Sequence, residues 1–289
     1  MRVADVKRIC VLGAGTMGAG IAQTCSVAGF SVAMRDLTEE FVEGGFQRMR
    51  APLEKRVARG KMTQEEVEAI LGRIEGFTSL EEALTGADVV LEAVFEDMGV
   101  KKELYEEVSR LGPQDAVFAS NTSSLSITEM AAVTDRPDRV VGMHFFNPAP
   151  VMKLVEVIRG SETSEDTVAF AMELSRKLGK EPVEVKESAG FVVNRLLVPM
   201  MNEAFNLLLE NVASAEDIDK SMKLGTNMPM GPFELADYTG LDVGLAVMEV
   251  LQRESGDPKF RPSPLLRQLV RAGRLGRKTG RGVYDYGGG

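Results

Sequence analysis

Histidine occurs once in the 289 residues of this chain, as His144, so any imidazole chemistry has a single carrier. Cysteine occurs twice, as Cys10 and Cys25, both in apolar surroundings. That is too few for a disulfide framework or a thiolate cluster, and no metal is expected. No stretch approaches the roughly 20 uninterrupted apolar residues of a membrane-spanning helix, so no membrane association is expected. Positive charge is in deficit. Lys and Arg number 34 against 43 Asp and Glu, a net charge of −9, which argues against a dedicated nucleic-acid binder. An anionic small molecule is not excluded, because its site needs only local positive charge. The opening segment, MRVADVKRICVLGAG, shows no cleavage-site pattern and carries Asp5 and Lys7 beside its apolar run. With the sparse cysteine, this leads to the expectation of a cytoplasmic protein.

What is present suffices for a sizeable core: 44% of residues are hydrophobic and 27% charged. The length suggests two domains. In the first half, strand-like runs alternate with helix-like ones. Strands are predicted at 7–12, 31–35, 88–94, 116–120, 139–146 and 151–158. Helices are predicted at 17–28, over 38–72 in two pieces around Gly60, and at 100–110. Runs apolar on both faces, linked by helices, imply a parallel sheet sandwiched between helix layers. After Pro182–Lys186 the pattern turns helical, with segments at 190–211, 215–224, 232–252 and 264–272. The boundary is placed at about 185, giving an α/β dinucleotide-binding domain at 1–185 and an all-α domain at 186–289.

Gly13-Ala14-Gly15-Thr16-Met17-Gly18 is a G-x-G-x-x-G pattern. Such loops are common, but this one follows a predicted strand and opens a helix. An acid, Asp36, stands 21 residues after Gly15 at the end of the next strand. In that setting the glycines serve a tight turn, close approach of a pyrophosphate and helix-on-strand packing, with free helix N–H groups facing phosphate. Asp36 favours NAD over NADP, because a carboxylate accepts from a ribose 2′-hydroxyl and repels a 2′-phosphate. Arg35 beside it pulls the other way. The plain alternative is that Asp36 caps the following helix together with Thr38.

His144 lies in Met143-His144-Phe145-Phe146-Asn147-Pro148-Ala149-Pro150. A lone histidine among apolar residues is ordinarily a core group. Glu156 alters that reading. Residues 151–158 read as a strand, and positions 144 and 156 are centred on Pro150 in a Pro-bounded turn. Strands folding back there would set His144 opposite Glu156. A carboxylate on one ring nitrogen fixes the tautomer and raises basicity, leaving the other for a substrate hydroxyl. A plain buried His–Glu pair holding the corner is the alternative. The segment 120–129 (SNTSSLSITE) follows a strand at its carboxyl end, where ligands bind in open sheets. Ser126 and Glu129 have capping-box spacing, whereas Ser123 is placed to meet a ligand. Asn194 falls in the first turns of the second domain and either faces a ligand or bonds locally. Residues 48–61 carry Arg48, Arg50, Lys55, Arg56, Arg59 and Lys61 against one acid, Glu54. The run is either a solvated helix face or a docking surface for a phosphorylated handle.

Taken together, GAGTMG, Asp36, ASNTSSL, HFFNP, KLVEV, GFVVNR, GPFELAD and KTGRGVYDY stand in one order along nearly the whole chain. In this the chain closely resembles the short-chain L-3-hydroxyacyl-CoA dehydrogenases. The resemblance implies a Rossmann-type NAD-binding domain, a helical domain that forms a homodimer, and an active site between them. It implies reversible oxidation of an L-3-hydroxyacyl-CoA to the 3-ketoacyl-CoA, with NAD as cofactor and acyl-CoA as partner. Residue by residue, it makes His144 the base and Glu156 its orienting partner, with Ser123 and Asn194 at the substrate's reacting end. It adds NAD contacts at Asp36, Glu96, Lys101, Ser123, Asn147 and Lys278. Two alternatives remain: a sugar-acid dehydrogenase with the same His–Glu arrangement, and a non-catalytic NAD-binding structural protein on this scaffold.

Overall fold

A computed structural model describes residues 2–287. The chain divides after Ser188 into two compact units. The first is built on eight strands: β1 (Arg8–Leu12), β2 (Ser31–Arg35), β3 (Ile74–Phe77), β4 (Val89–Glu92), β5 (Val117–Ser120), β6 (Val140–Phe145), β7 (Leu154–Arg159) and β8 (Glu181–Lys186). They form one sheet in the order β3-β2-β1-β4-β5-β6-β7-β8. Neighbours are parallel throughout except β6 and β7, which run antiparallel. β4, β5 and β6 are buried along their whole length, as expected of strands covered on both faces. The edge strands β3 and β8 are largely exposed and carry Glu75, Glu181, Glu184 and Lys186, charges that discourage edge pairing with another chain.

Seven helices pack around this sheet: α1 (Thr16–Val27), α2 (Glu39–Ala58), α3 (Gln64–Leu71), α4 (Leu80–Leu84), α5 (Met98–Leu111), α6 (Ile127–Ala131) and α7 (Glu165–Lys177). Local chemistry sets most of their starts. Thr38, Thr63, Ser79, Asp97, Ser126 and Ser164 each accept a backbone N–H at an N-cap. α2 buries Val42, Gly45, Met49 and Leu53 at helical spacing and turns its charges outward. The two-piece reading of 38–72 matches α2 and α3, separated at Gly60, whose φ is +65°. Four elements lie outside the predicted segments: β3, β8, α4 and α7. β3 presents only Ile74 to the core, so its apolar signal is short. α4 is five residues long. α7 starts at the Ser164 cap, with Glu165 and Asp166 in its first turn.

The second unit consists of α8 (Val193–Leu209), α9 (Ala215–Thr226), α10 (Pro232–Thr239), α11 (Leu241–Ser255) and α12 (Pro264–Arg271). The single helix expected over 232–252 is two, because Gly240 adopts φ +105° and breaks the helical path. Phe205 and Phe233 meet edge to face at 5.1 Å in its core. Two buried aspartates tie the C-terminal segment to these helices. Asp237 accepts from Val283 N, Tyr284 N and Tyr286 Oη, while Asp219 accepts from Phe233 N, Glu234 N and Tyr284 Oη. Burial nonetheless pushes the Asp219 carboxyl upward. Among the described residues, no helix is long and apolar enough to cross a membrane.

Candidate active site

The carboxyl ends of β1, β2, β4, β5 and β6 lie along one edge of the sheet, and the chain leaving each of them carries predicted site residues. At β1, Gly13 has φ +105° and sits so close to the next connection that a Cβ would lie 2.5 Å from the Ala93 carbonyl oxygen. A Cβ on Gly18 would lie 1.8 Å from the Gly13 carbonyl, so α1 folds onto the loop only with glycine there. Gly15 differs: nothing lies within 4 Å of its virtual Cβ. It stands at the N-cap of α1, followed by Thr16 and Met17, leaving open space against the helix N-terminus.

Asp36 follows β2, and its carboxylate reaches back to the same loop. Oδ2 accepts from Ala14 N (2.7 Å) and Oδ1 from Leu37 N (2.7 Å). The helix cap is Thr38, so Asp36 does not serve as one. Arg35 Nε donates to the Thr78 carbonyl (3.0 Å), which occupies the guanidinium at the β3 side.

His144 and Glu156 are directly opposed across β6 and β7, in the register that places Pro150 at the centre of the turn. Nδ1 lies 2.8 Å from Glu156 Oε2, and the two residues are 5% and 1% exposed. A buried carboxylate at this nitrogen favours the tautomer that carries the proton on Nδ1. The Phe146 ring packs on the imidazole at 4.5 Å between centroids. Asn121 joins the β5 end to this strand, its Oδ1 accepting from Phe145 N (2.8 Å). Lys180 Nζ donates to the Ala149 and Met152 carbonyls and so pins the turn that carries exposed Asn147. Sequence reasoning missed both Asn121 and Lys180; Asn121 at least stood within the quoted ASNTSSL.

After β5, Ser123 is partly exposed, and its backbone N–H donates to Glu96 Oε1 (2.8 Å). The Glu96 side chain is 38% exposed, whereas Lys101 is 1% exposed and ion-paired to it at 3.3 Å. Gly13–Gly18, Asp36, Glu96, Lys101, Ser123, His144, Asn147 and Glu156 all belong to the first unit. Asn194 is the second residue of α8 in the other unit. Lys278 also belongs there, its Nζ donating to Asp242 Oδ2 (2.6 Å). The basic run occupies α2 and the turn after it. Arg50 pairs with Glu54 and Glu68, and Lys55, Arg56, Arg59 and Lys61 are exposed. Burial pushes both Cys10 and Cys25 up to about 12, so they are thiols, not thiolate ligands or nucleophiles.

The 3-hydroxyacyl-CoA dehydrogenase NAD-binding domain model matches residues 8–188, and the C-terminal domain model of the same family matches 190–286. The chain belongs to the 3-hydroxyacyl-CoA dehydrogenase family. It is 54% identical to a probable 3-hydroxybutyryl-CoA dehydrogenase of Bacillus subtilis, over 98% of either chain. It is 44% identical to the human mitochondrial hydroxyacyl-coenzyme A dehydrogenase, over 97% of this chain and 91% of that one. The crystal structure of an (S)-3-hydroxybutyryl-CoA dehydrogenase from Ralstonia eutropha superposes with a TM-score of 0.93. Its sequence is 50% identical, and the match covers 98% of this chain and all of that one.

The protein is therefore an NAD-dependent oxidoreductase. The residues present fit that cofactor: the open space at Gly15 admits a pyrophosphate, and the Asp36 carboxylate stands at the strand end where an adenosine ribose is read. If Asp36 reads the ribose, Asp36→Ala is expected to raise the KM for NADH at least tenfold, because that acceptor and the Ala14 tether both disappear. It is also expected to narrow the preference over NADPH. Steady-state KM values for the two reductants check this, and an unchanged NADH/NADPH ratio would remove Asp36 from cofactor selection.

Proposed function

We propose that this enzyme interconverts a short-chain L-3-hydroxyacyl-CoA, such as 3-hydroxybutyryl-CoA, with its 3-ketoacyl-CoA. His144 is the general base and Glu156 its orienting carboxylate. The observation that carries this reading is the buried 2.8 Å Nδ1–Oε2 contact, made by the chain's one histidine at the ligand-binding edge of the sheet. In the oxidative direction, Nε2 of His144 takes the proton of the 3-hydroxyl. Bound NAD supplies the hydride acceptor. The imidazolium that results is held by the Glu156 carboxylate, a charge-assisted hydrogen bond worth about 1.5–3 kcal/mol. In the reductive direction, protonated His144 returns the proton to the developing alkoxide. Ser123 positions the reacting end of the substrate beside the nicotinamide. Its support is its location after β5, where its backbone is bonded to Glu96.

Asn194 is assigned to the same end of the substrate, and Lys278 and Asn147 to NAD, on the strength of the motifs GFVVNR, KTGRGVYDY and HFFNP. The first unit would then be the NAD-binding domain and the second the substrate and dimerisation domain. The exposed cations of α2 are the proposed docking surface for the CoA phosphates, through charge-assisted hydrogen bonds. A homodimer formed through the second unit is supported by Leu196 and Leu224, which are 71% and 78% exposed on α8 and α9. The two buried, unpaired cysteines suit a reducing cytoplasm.

The test is consumption of NADH with acetoacetyl-CoA, run beside NADPH and beside free acetoacetate. Rapid turnover is expected with NADH and the thioester, and little with either substitute. Equal rates with the free acid would shift the substrate class to small hydroxyacids, and bound NADH without turnover would favour a non-catalytic role.

A further inference from the structure

Beneath the Ser123 loop lies a set of buried charges with no place in the proton transfer. Glu92 ends β4 and is in register with Leu12 on one side and Ser120 on the other. It is 1% exposed and fully engaged. Its Oε1 accepts from Lys101 Nζ (2.6 Å) and Val94 N (2.7 Å), and its Oε2 accepts from Ser120 Oγ (2.6 Å). Lys101, in the first turns of α5, is as deeply buried as Glu92 and reaches a second carboxylate, Glu96, at 3.3 Å. Glu96 Oε1 accepts from Thr122 Oγ1 (2.6 Å) and Ser123 N (2.8 Å).

Two polar paths thus run from Glu92 into the loop. The shorter passes through Ser120, whose Oγ accepts from Thr122 N (3.1 Å). The longer passes through Lys101 and Glu96 to Ser123. Thr122 Oγ1 then accepts from Ser124 N and Leu125 N. Every backbone N–H from Thr122 to Leu125 therefore ends on a side-chain oxygen of this one network. Burying a Lys–Glu pair is costly in desolvation, and apolar residues of similar volume often serve stability as well or better. What such a pair provides is direction: hydrogen bonds of fixed length and angle, in a low-dielectric interior, with no water to substitute for a missing partner.

We propose that Glu92 and Lys101 are positioning residues for the dehydrogenase reaction, holding Ser123 at the reacting centre through Glu96. This rests on the reading of Ser123 above as a substrate-positioning group.

The experiment is a double-mutant cycle on the full chain, with acetoacetyl-CoA and NADH as substrates. The variants are Glu92→Gln, Ser123→Ala and the two combined, with kcat and both KM values measured for each. Glu92→Gln is expected to lower kcat at least tenfold. In the Ser123→Ala background it should cost no more than about twofold, because a misplaced loop matters only while it carries the hydroxyl. Ser120→Ala cuts only the shorter path and should show the same non-additivity with a smaller loss. It carries the cycle if Glu92→Gln does not accumulate as folded protein. Losses that multiply in the double variant, with Ser123→Ala itself impaired, overturn the positioning role and leave the reading of Ser123 standing. A Glu92→Gln enzyme with a lower melting temperature and normal kcat does the same. Ser123→Ala at wild-type turnover overturns both.

Discussion

His144→Gln is expected to retain its fold and bind NADH while losing roughly 10²–10⁴-fold in kcat, the usual range for removing a positioned general acid–base. Glutamine is close to imidazole in reach and its amide N–H can still donate to the Glu156 carboxylate as a neutral imidazole does, so the loss reports proton transfer and not collapse of the site. The pH dependence separates the two further. Oxidation requires His144 unprotonated, so its rate should rise with pH. Reduction requires it protonated, so its rate should fall. Both limbs should disappear in the variant, since no other histidine exists to replace this one. Initial rates in both directions across the pH range, with NADH binding followed by fluorescence, decide the matter. A variant with near-normal turnover and an unchanged pH profile would sink the base assignment.

Glu156→Gln is expected to lower kcat about 10²-fold with little change in the KM for NADH, at the lower end of the effects seen when the carboxylate behind a catalytic histidine is neutralised. The amide oxygen can still accept from Nδ1–H, so orientation and tautomer survive. What is lost is the negative charge that stabilises the imidazolium in a site where the carboxylate is 1% exposed and water does not screen it. Glu156→Ala should be worse in both turnover and stability, because it removes the acceptor and leaves a cavity between β6 and β7. A fall confined to KM, with kcat preserved, would show that Glu156 shapes the pocket without stabilising the transition state. The comparison of Gln with Ala separates charge from geometry.

The glycine loop and Asp36 were legible because their chemistry is local. A strand, a G-x-G-x-x-G turn, a helix and an acid at the next strand end are set by spacing alone, and the contacts of Gly13 and Gly18 follow from it. The His144–Glu156 pair was legible for a different reason. Antiparallel pairing folds a sequence about a centre, so Gly142 with Ile158, His144 with Glu156 and Phe145 with Val155 share the midpoint at Pro150. Once two strands meet at one turn, register is arithmetic.

Elsewhere the periodicity carried less. β3 offers one buried residue, too few to mark a strand, and is recruited by the exposed edge of β2. The break at Gly240 lies inside an apolar stretch that reads as one helix, because a positive φ leaves no trace in a hydrophobic pattern. Glu92 sits within the run DVVLEAV, where its charge resembles a strand end meeting solvent. Only the turn from β4 into α5 brings Lys101 onto it and seals both residues from water.

The sequence by itself determined the alternation of strands and helices, the dinucleotide loop, the single candidate base and its carboxylate. Each of these depends on residue type and on separations along the chain. Tertiary structure alone decided the buried charge network under Ser123, the tether from Asp36 to Ala14 and the Lys180 clamp on the β6–β7 turn. Those contacts depend on how segments with no pattern in common are packed together, and the desolvation that gives them their strength arises only when the packing is complete.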